Sequence, residues 1–487
     1  MKPLFTLMLL ALSGLLSAQT PADGLQVQLD SLKTLLTTSP GQADELADYL
    51  LKGKNKKNAP LLVSIARIYH EAGLQNKADA YVAQARKADA KCPALSVLEG
   101  DMALAREDVG AACQLYEQAI YFDPHCREAY LKYAQAYRTA APELSIEKLL
   151  QLKSVAPDYK EADRALAQVY YSINRFGNAI ECYAAFIDTP LATEDDLLKY
   201  AFALFLNHDF EHSLSVARRG SRQNPSHAAF HRLMLYNNVD LRRYAAADSA
   251  ARLLFAPAAG AEHSYLDHRY YGTLLAALQQ YDQAIEQFRC ALACDSTQHT
   301  LWLDLSTVYE QRADYPQAIS AYLNYYQTLP PTRQTPEQLF QLGRLYYGQG
   351  TAPAPDSPAL QPADSLQRRE ALLQADSIFT LVDQLVPTSY LGDLWRARAN
   401  SALDPETIDG LAKPHYEAVV ATLLPKADAR YNAALVECYS YLGYYYLLKN
   451  DYPSSTDYWE KILLLDPNNG TAGKALEGIR QQTLSGR

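Results

Sequence analysis

Large and small apolar residues recur along this chain with a period of about 34 residues. One copy places Trp302, Leu305, Ser306, Tyr309, Tyr315, Ala318, Tyr322, Tyr325 and Pro330 at fixed offsets. The copy before it has Gly272, Leu275, Tyr281, Ala284, Phe288 and Ala291. The last has Tyr439, Leu442, Gly443, Tyr446, Tyr452, Ser455, Trp459, Ile462 and Pro467. Spacings of three and four within each half put these residues on one helical face, so each copy predicts a helix–turn–helix.

A small residue early in each second helix serves as a ruler. It falls at Ala78, Ala112, Ile146, Ala179, Ser213, Ala247, Ala284, Ala318, Ala375, Ala412 and Ser455, with Ile146 the poorest fit. These eleven units are preceded by a divergent twelfth at 25–36 and 42–51. The ruler residue must be small because the two helices of a unit cross there. The residue four later (Tyr116, Tyr183, Phe288, Tyr322, Phe379, Tyr416, Trp459) is expected to fill the space between neighbouring units. Pro124, Pro157, Pro225, Pro330, Pro387 and Pro467 stop second helices. One unit cannot bury its own apolar face, so stacking supplies the cover.

Two stretches break the period. The Pro/Ala-rich residues 351–363 read as an insertion loop between the two helices of one unit. Asp364 or Ser365 then caps a lengthened helix ending near Leu385. A smaller loop spans 404–414. The expected organisation is a signal peptide at 1–18, a helical hairpin and basic loop at 19–58, and a repeat array at 59–350. The insertion at 351–363, a second array at 364–469 and a capping helix at 470–487 follow.

These offsets resemble the tetratricopeptide repeat (TPR) family from about residue 60 to the end. The resemblance implies an all-α fold, a right-handed superhelical solenoid of about eleven to twelve helix-turn-helix repeats. It also implies a concave groove lined by first helices, protein or peptide partners, and no catalysis of its own. The segment from Gly443 to Tyr452, with Asp466-Pro467-Asn468-Asn469, is similar to exported TPR proteins of double-membrane bacteria.

Composition narrows the rest. Lys2, the apolar run Leu4 to Leu16 and the small residues before Gln19 read as a Sec signal peptide, so the mature chain is expected in the periplasm or peripheral envelope. No second span follows it. Net charge is −10, and no basic cluster of useful size accompanies it, which argues against nucleic acid. The lysines of 52–57 read as a solvated loop. Seven cysteines show no CxxC and no zinc spacing, and most read as small buried residues. Tyrosine is far commoner than phenylalanine, 36 against 12, and reads as core aromatics with hydroxyls at the edge.

No catalytic motif is present: no G-x-S-x-G, H-E-x-x-H, P-loop or G-x-G-x-x-G. His208 and His212 stand four apart but flank a turn, and no third ligand accompanies them. No metal, cofactor or catalytic residue is therefore assigned. The remaining constellation is a row of cations. Aligned on Ala167, Ala201, Leu235 and Gly272, the first helices carry Arg164, Lys199, Arg232 and Arg269 a few residues earlier. Tyr171, Phe202, Phe205 and Tyr236 stand at neighbouring positions. Cations beside aromatics suit an extended acidic peptide. The competing reading pairs these cations with Glu161, Asp195 or Asp267 on the surface. The function expected is a non-catalytic protein- or peptide-binding scaffold of the envelope, with a glycan- or peptidoglycan-associated protein as the alternative.

Overall fold

The computed structural model describes residues 21–256, 260, 262–352 and 362–485. The signal peptide expected at 1–18 lies outside them, as does most of the 351–363 insertion. The chain divides into two compact units, Met1–Asn237 and Asn238–Arg487.

The first unit holds α1 (Pro21–Thr38), α2 (Pro40–Leu50), α3 (Ala59–Glu71), α4 (Gln75–Ala88), α5 (Pro93–Leu104), α6 (Val109–Phe122), α7 (Arg127–Tyr137), α8 (Pro142–Val155), α9 (Lys160–Ser172), α10 (Phe176–Phe186), α11 (Glu194–Leu206) and α12 (Phe210–Gln223). α13 (Ala228–Asp240) runs across the boundary. The second unit continues with α14 (Tyr244–Leu254), α15 (Tyr265–Ala277), α16 (Tyr281–Cys294), α17 (Thr300–Gln311), α18 (Tyr315–Thr328), α19 (Pro336–Thr351), α20 (Pro362–Leu385), α21 (Leu391–Leu403), α22 (Lys413–Leu423), α23 (Asn432–Leu448), α24 (Tyr452–Leu465) and the cap α25 (Gly470–Ser485). Odd-numbered helices up to α23 are first helices and even-numbered ones second helices. No strand occurs among the described residues.

Local chemistry sets these boundaries. Asn58, Asp108, Asp209 and Asp451 cap α3, α6, α12 and α24 through their side chains, and Thr193 and Ser264 form capping boxes on α11 and α15. Pro124, Pro157, Pro225, Pro330, Pro387 and Pro467 each stand two residues past the end of a second helix, where a missing N–H costs nothing. The turn inside eight of the units uses a left-handed residue. Gly73 fills that role once, but Glu107, Asn174, His208, Arg242, Gln279, Ala313 and Asn450 fill it elsewhere with φ between 56° and 64°. α20 starts at Pro362, earlier than the Asp364 or Ser365 cap expected for it.

The ruler residues are buried where the two helices of a unit cross. The approach is close enough for a serine there to bond across: Ser213 Oγ donates to the Ala201 carbonyl at 2.8 Å and Ser455 Oγ to that of Gly443 at 2.7 Å. Ser145 Oγ does the same to Ala134 at 2.9 Å. The crossing residue of that unit is therefore Ser145, and Ile146, offset by one, faces the core beside it.

The aromatics four residues on have a double role. Four of the seven rings lie against a glycine of their own unit's first helix: Tyr116 on Gly100, Phe288 on Gly272, Phe379 on Gly343, Trp459 on Gly443. A Cβ on Gly443 would come within 2.8 Å of the Trp459 ring. The same rings reach the next unit, as Phe288 does in sharing a core with Leu301 and Leu305. They thus fill the space between neighbouring units, as expected, and also cover the glycine of their own unit.

First helices also touch the next first helix, as α3 does α5, α5 does α7, and α19 does α21. Among the described residues, second helices make no comparable contact with one another.

Candidate functional site on the first-helix face

In the first unit, the curvature is visible in one ion pair. Arg67 on α3 reaches past α5 to Glu128 on α7 at 2.6 Å. Lys132 on α7 bonds Asp101 on α5 at 2.8 Å. Side chains two repeats apart meet only if the first-helix face is concave, so a groove is built there.

The expected cations lie on this class of face, but their charges are largely matched. Arg164 on α9 holds Asp196 on α11, Nη2 to Oδ2 at 2.9 Å and Nε to Oδ1 at 3.1 Å. Asp196 has no exposed surface and is the N3 residue of the Thr193 capping box. Lys199 pairs with Asp195 one turn away at 2.6 Å. Arg269, in the second unit, pairs with Asp304 on α17 at 2.7 Å. Arg232, half-buried on α13, is likewise engaged. Two of these pairs stitch one repeat to the next, and their acids are Asp196 and Asp304 rather than Glu161 or Asp267.

The aromatic members belong to the core. Tyr236 is only 2% exposed, because α13 is buried almost throughout from Leu233 to Val239. Phe205 leans on Tyr236 and Phe210 at ring distances of 5.7 and 5.8 Å. Phe202 and Tyr171 pack on the same core, and burial pushes the Tyr171 hydroxyl above its ordinary pKa.

Between α7 and α9 lies a depression of about 300 Å³, lined by Gln135, Arg138, Glu161, Arg164 and Gln168 among others. Arg138 is exposed and takes part in no ion pair. Two guanidiniums, two carboxamides and one carboxylate, that of Glu161, thus converge on one groove position. Arg138 and Gln135 were missed in the sequence because the alignment began at Ala167. Extended one unit back, to Ala134, it places Gln135 and Arg138 at the positions of Gln168 and Tyr171.

The second unit carries a different cluster. Trp395 on α21 meets Phe340 and Tyr347 of α19 edge-on, at 5.7 and 5.2 Å. Arg398 lies 4.9 Å from the Trp395 ring centroid and bonds Glu437 on α23 through two contacts of 2.8 and 2.7 Å. Arg344 stands 5.9 Å from the same centroid.

His208 occupies the left-handed turn position (φ 60°), so it shares no helical face with His212, whose Nδ1 bonds Asp209. No group of three or more metal-ligating side chains occurs among the described residues, and none of their helices is long and apolar enough to cross a membrane. All seven cysteines are free thiols.

Helix pairs of about 34 residues, a small residue under an aromatic sixteen positions on, and first helix stacked on first helix define one architecture. The fold is that of the tetratricopeptide repeat. No protein-family model matches the sequence, and no curated protein matches it. Among solved structures, the C-terminal part of a TPR repeat-containing protein from Cytophaga hutchinsonii is 28% identical, covering 57% of this chain and 99% of its own, with a TM-score of 0.46. PilF of Pseudomonas aeruginosa is 13% identical over 45% of this chain and 97% of its own (TM-score 0.35). A tetratricopeptide repeat protein from Parabacteroides merdae is 13% identical over 51% of this chain and 98% of its own (TM-score 0.33). Repeat solenoids of this type use their concave faces as extended binding surfaces.

Proposed function

We propose that this chain is a non-catalytic protein-binding scaffold of the cell envelope. It holds an extended, acidic segment of a partner protein against the first-helix face. The observation that carries the reading is the depression between α7 and α9, where Arg138 is uncommitted beside Arg164 and two glutamines. A guanidinium takes a carboxylate in planar, bidentate fashion, and carboxamides can bond an extended backbone. The helices that carry these groups are fixed by repeat packing, so little order is lost on binding. The apolar N-terminal run after Lys2 supports export.

A glycan-binding surface would need clustered, open aromatic faces. The most exposed tyrosines, Tyr49, Tyr121 and Tyr444, stand on three separate helices. Tyr445, Tyr446 and Tyr458 are covered by Lys413, Lys449, Lys461 or each other. That distribution favours the protein reading.

The test is affinity capture from crosslinked envelope extract with the full chain, Arg138→Glu and Lys87→Glu. Lys87 lies exposed on a second helix and gives the same charge change on the other face. A defined partner lost only with Arg138→Glu is the expected result. Equal loss in both variants, or in neither, overturns the reading. Arg164 is unsuitable for this purpose because it neutralises Asp196.

A further inference from the structure

We propose that Arg344 of the second unit, held beside Trp395, is a separate receiving site for a carboxylate side chain of an acidic peptide segment. The inference rests on the scaffold reading but concerns other residues, on another unit. Among the described arginines of first helices α15 to α23, Arg269 is paired with Asp304, Arg396 with Asp376, and Arg398 with Glu437. Arg344 is the exception. Its hydrogen bond is to the Gln341 carboxamide oxygen at 3.3 Å, within its own turn, and no carboxylate reaches it. The nearby acids are engaged. Glu437 is held by Arg398 and by the Tyr416 hydroxyl at 3.3 Å, and Glu310 accepts from Gln341 at 3.4 Å.

This guanidinium is also oriented. The Trp395 ring is wedged against Phe340, Tyr347 and Phe379, so it does not swing, and Arg344 lies over it. A guanidinium resting on an indole keeps its N–H groups free at the ring's rim, where they can meet a carboxylate fork. Arg344 stands one residue after Gly343, the register that places Gln135 and Gln168 in the depression of the first unit. It therefore belongs to the first-helix face. The chain as a whole carries −10, so an acidic peptide is repelled in general and binds only where a local cation is unmatched.

The test is fluorescence anisotropy of labelled hexaglutamate with the full-length protein at low ionic strength, with hexalysine as the control probe. Arg344→Gln is expected to weaken hexaglutamate binding about tenfold or more, the size of one charge-assisted bond. Because Arg344 is exposed, the variant's melting curve should overlay that of the unmodified protein. Trp395→Leu should weaken binding severalfold by releasing the guanidinium, and Trp395→Phe less. Unchanged affinity in Arg344→Gln overturns the inference, as does failure of the unmodified protein to bind hexaglutamate. Loss confined to Arg138→Gln also overturns it, while leaving the first-unit groove and the scaffold reading intact.

Discussion

The hydroxyl of Ser455 on α24 donates to the carbonyl of Gly443 on α23 at 2.7 Å. The same oxygen accepts the indole N–H of Trp459 at 3.2 Å, and that ring lies on the face of Gly443. One small residue thus brings two helices together, and one missing side chain makes room for the ring. Ser455→Ala leaves a buried indole N–H and a helix carbonyl each short of a bond. It should cost about 1–3 kcal/mol. Ser455→Val adds a branched side chain at the crossing and should cost more. Urea unfolding followed by tryptophan fluorescence measures both, and a Ser455→Ala variant as stable as its parent would refute the account.

The Arg164–Asp196 pair gives a second expectation. Asp196 is fully buried, so its charge depends on the Thr193 box and on Arg164. Removing one partner of a buried pair leaves an uncompensated charge. Arg164→Ala should lower stability by about 2 kcal/mol, less than for a wholly enclosed pair because the guanidinium is one-third exposed. Asp196→Asn combined with Arg164→Ala should recover part of that loss. Lys199→Ala, which removes an exposed pair within one helix, should change stability by less than about 0.5 kcal/mol. Thermal melts of the three variants beside the parent decide the order.

These two cases show where the sequence was legible. The ruler and the aromatic four residues on carry the fold because a crossing admits only small side chains and a gap only large ones. That constraint is written in residue size, so it survives even where Ser145 and Ile146 shift the register by one. The groove was less legible. A basic residue at a recurrent position looks the same whether it faces a ligand or bridges to the next repeat. Arg164 and Arg269 differ from Arg138 and Arg344 only in having Asp196 and Asp304 within reach, and those acids lie about one repeat further along the chain. Nor does composition show that α13 buries Tyr236 almost completely. The left-handed turn inside most units was invisible for a related reason: it demands a backbone angle, and Glu, His, Arg, Gln, Asn and Ala all supply it.

That turn supplies a third prediction. Ala313 sits at φ 62°, where an L-residue pays about 1–2 kcal/mol and glycine pays nothing sterically. Glycine loses about 0.5–1 kcal/mol through its greater freedom in the unfolded chain. Ala313→Gly should therefore stabilise the second unit by about 0.5–1 kcal/mol and raise Tm. A lowered Tm in calorimetry would contradict the left-handed assignment.

The cysteines should sort by environment. Cys438 is buried, and burial pushes its thiol up to about 12; burial likewise raises Cys113 and Cys182 to about 11. Thiolates are the reactive form, so these three should resist alkylation at pH 8 in the native protein. Cys294 is exposed and should label first. Mass spectrometry of iodoacetamide adducts over time gives the order, and early labelling of Cys438 would show that its helix opens.

The 404–412 segment is the break in the period whose structure is fully described, and it is tied down from within. Asp404, 7% exposed, accepts backbone N–H bonds from Ile408 at 2.9 Å, Gly410 at 2.7 Å and Leu411 at 3.4 Å. Tyr445 lies on Gly410 where a Cβ would collide with the ring, and Lys449 bonds the Ile408 carbonyl at 2.9 Å. Burial alone would raise the Asp404 carboxyl, but the backbone donors of Gly410, Asp409, Ile408 and Leu411 together outweigh it and hold it below the usual carboxylate range. A carboxyl depressed in the folded state stabilises fully above its unfolded pKa, near 4, and that contribution fades as pH falls through the lower folded value. The loop should thus keep its order from neutral pH down to about 4 and loosen below it. Asp404→Asn should loosen it at neutral pH, because the amide has no charge for four N–H dipoles to stabilise. Hydrogen exchange of the peptide spanning 404–412, corrected for intrinsic rates, reports both effects. Exchange at pH 7 as slow in Asp404→Asn as in the parent would mean that Tyr445 and Lys449 hold the loop without the carboxylate.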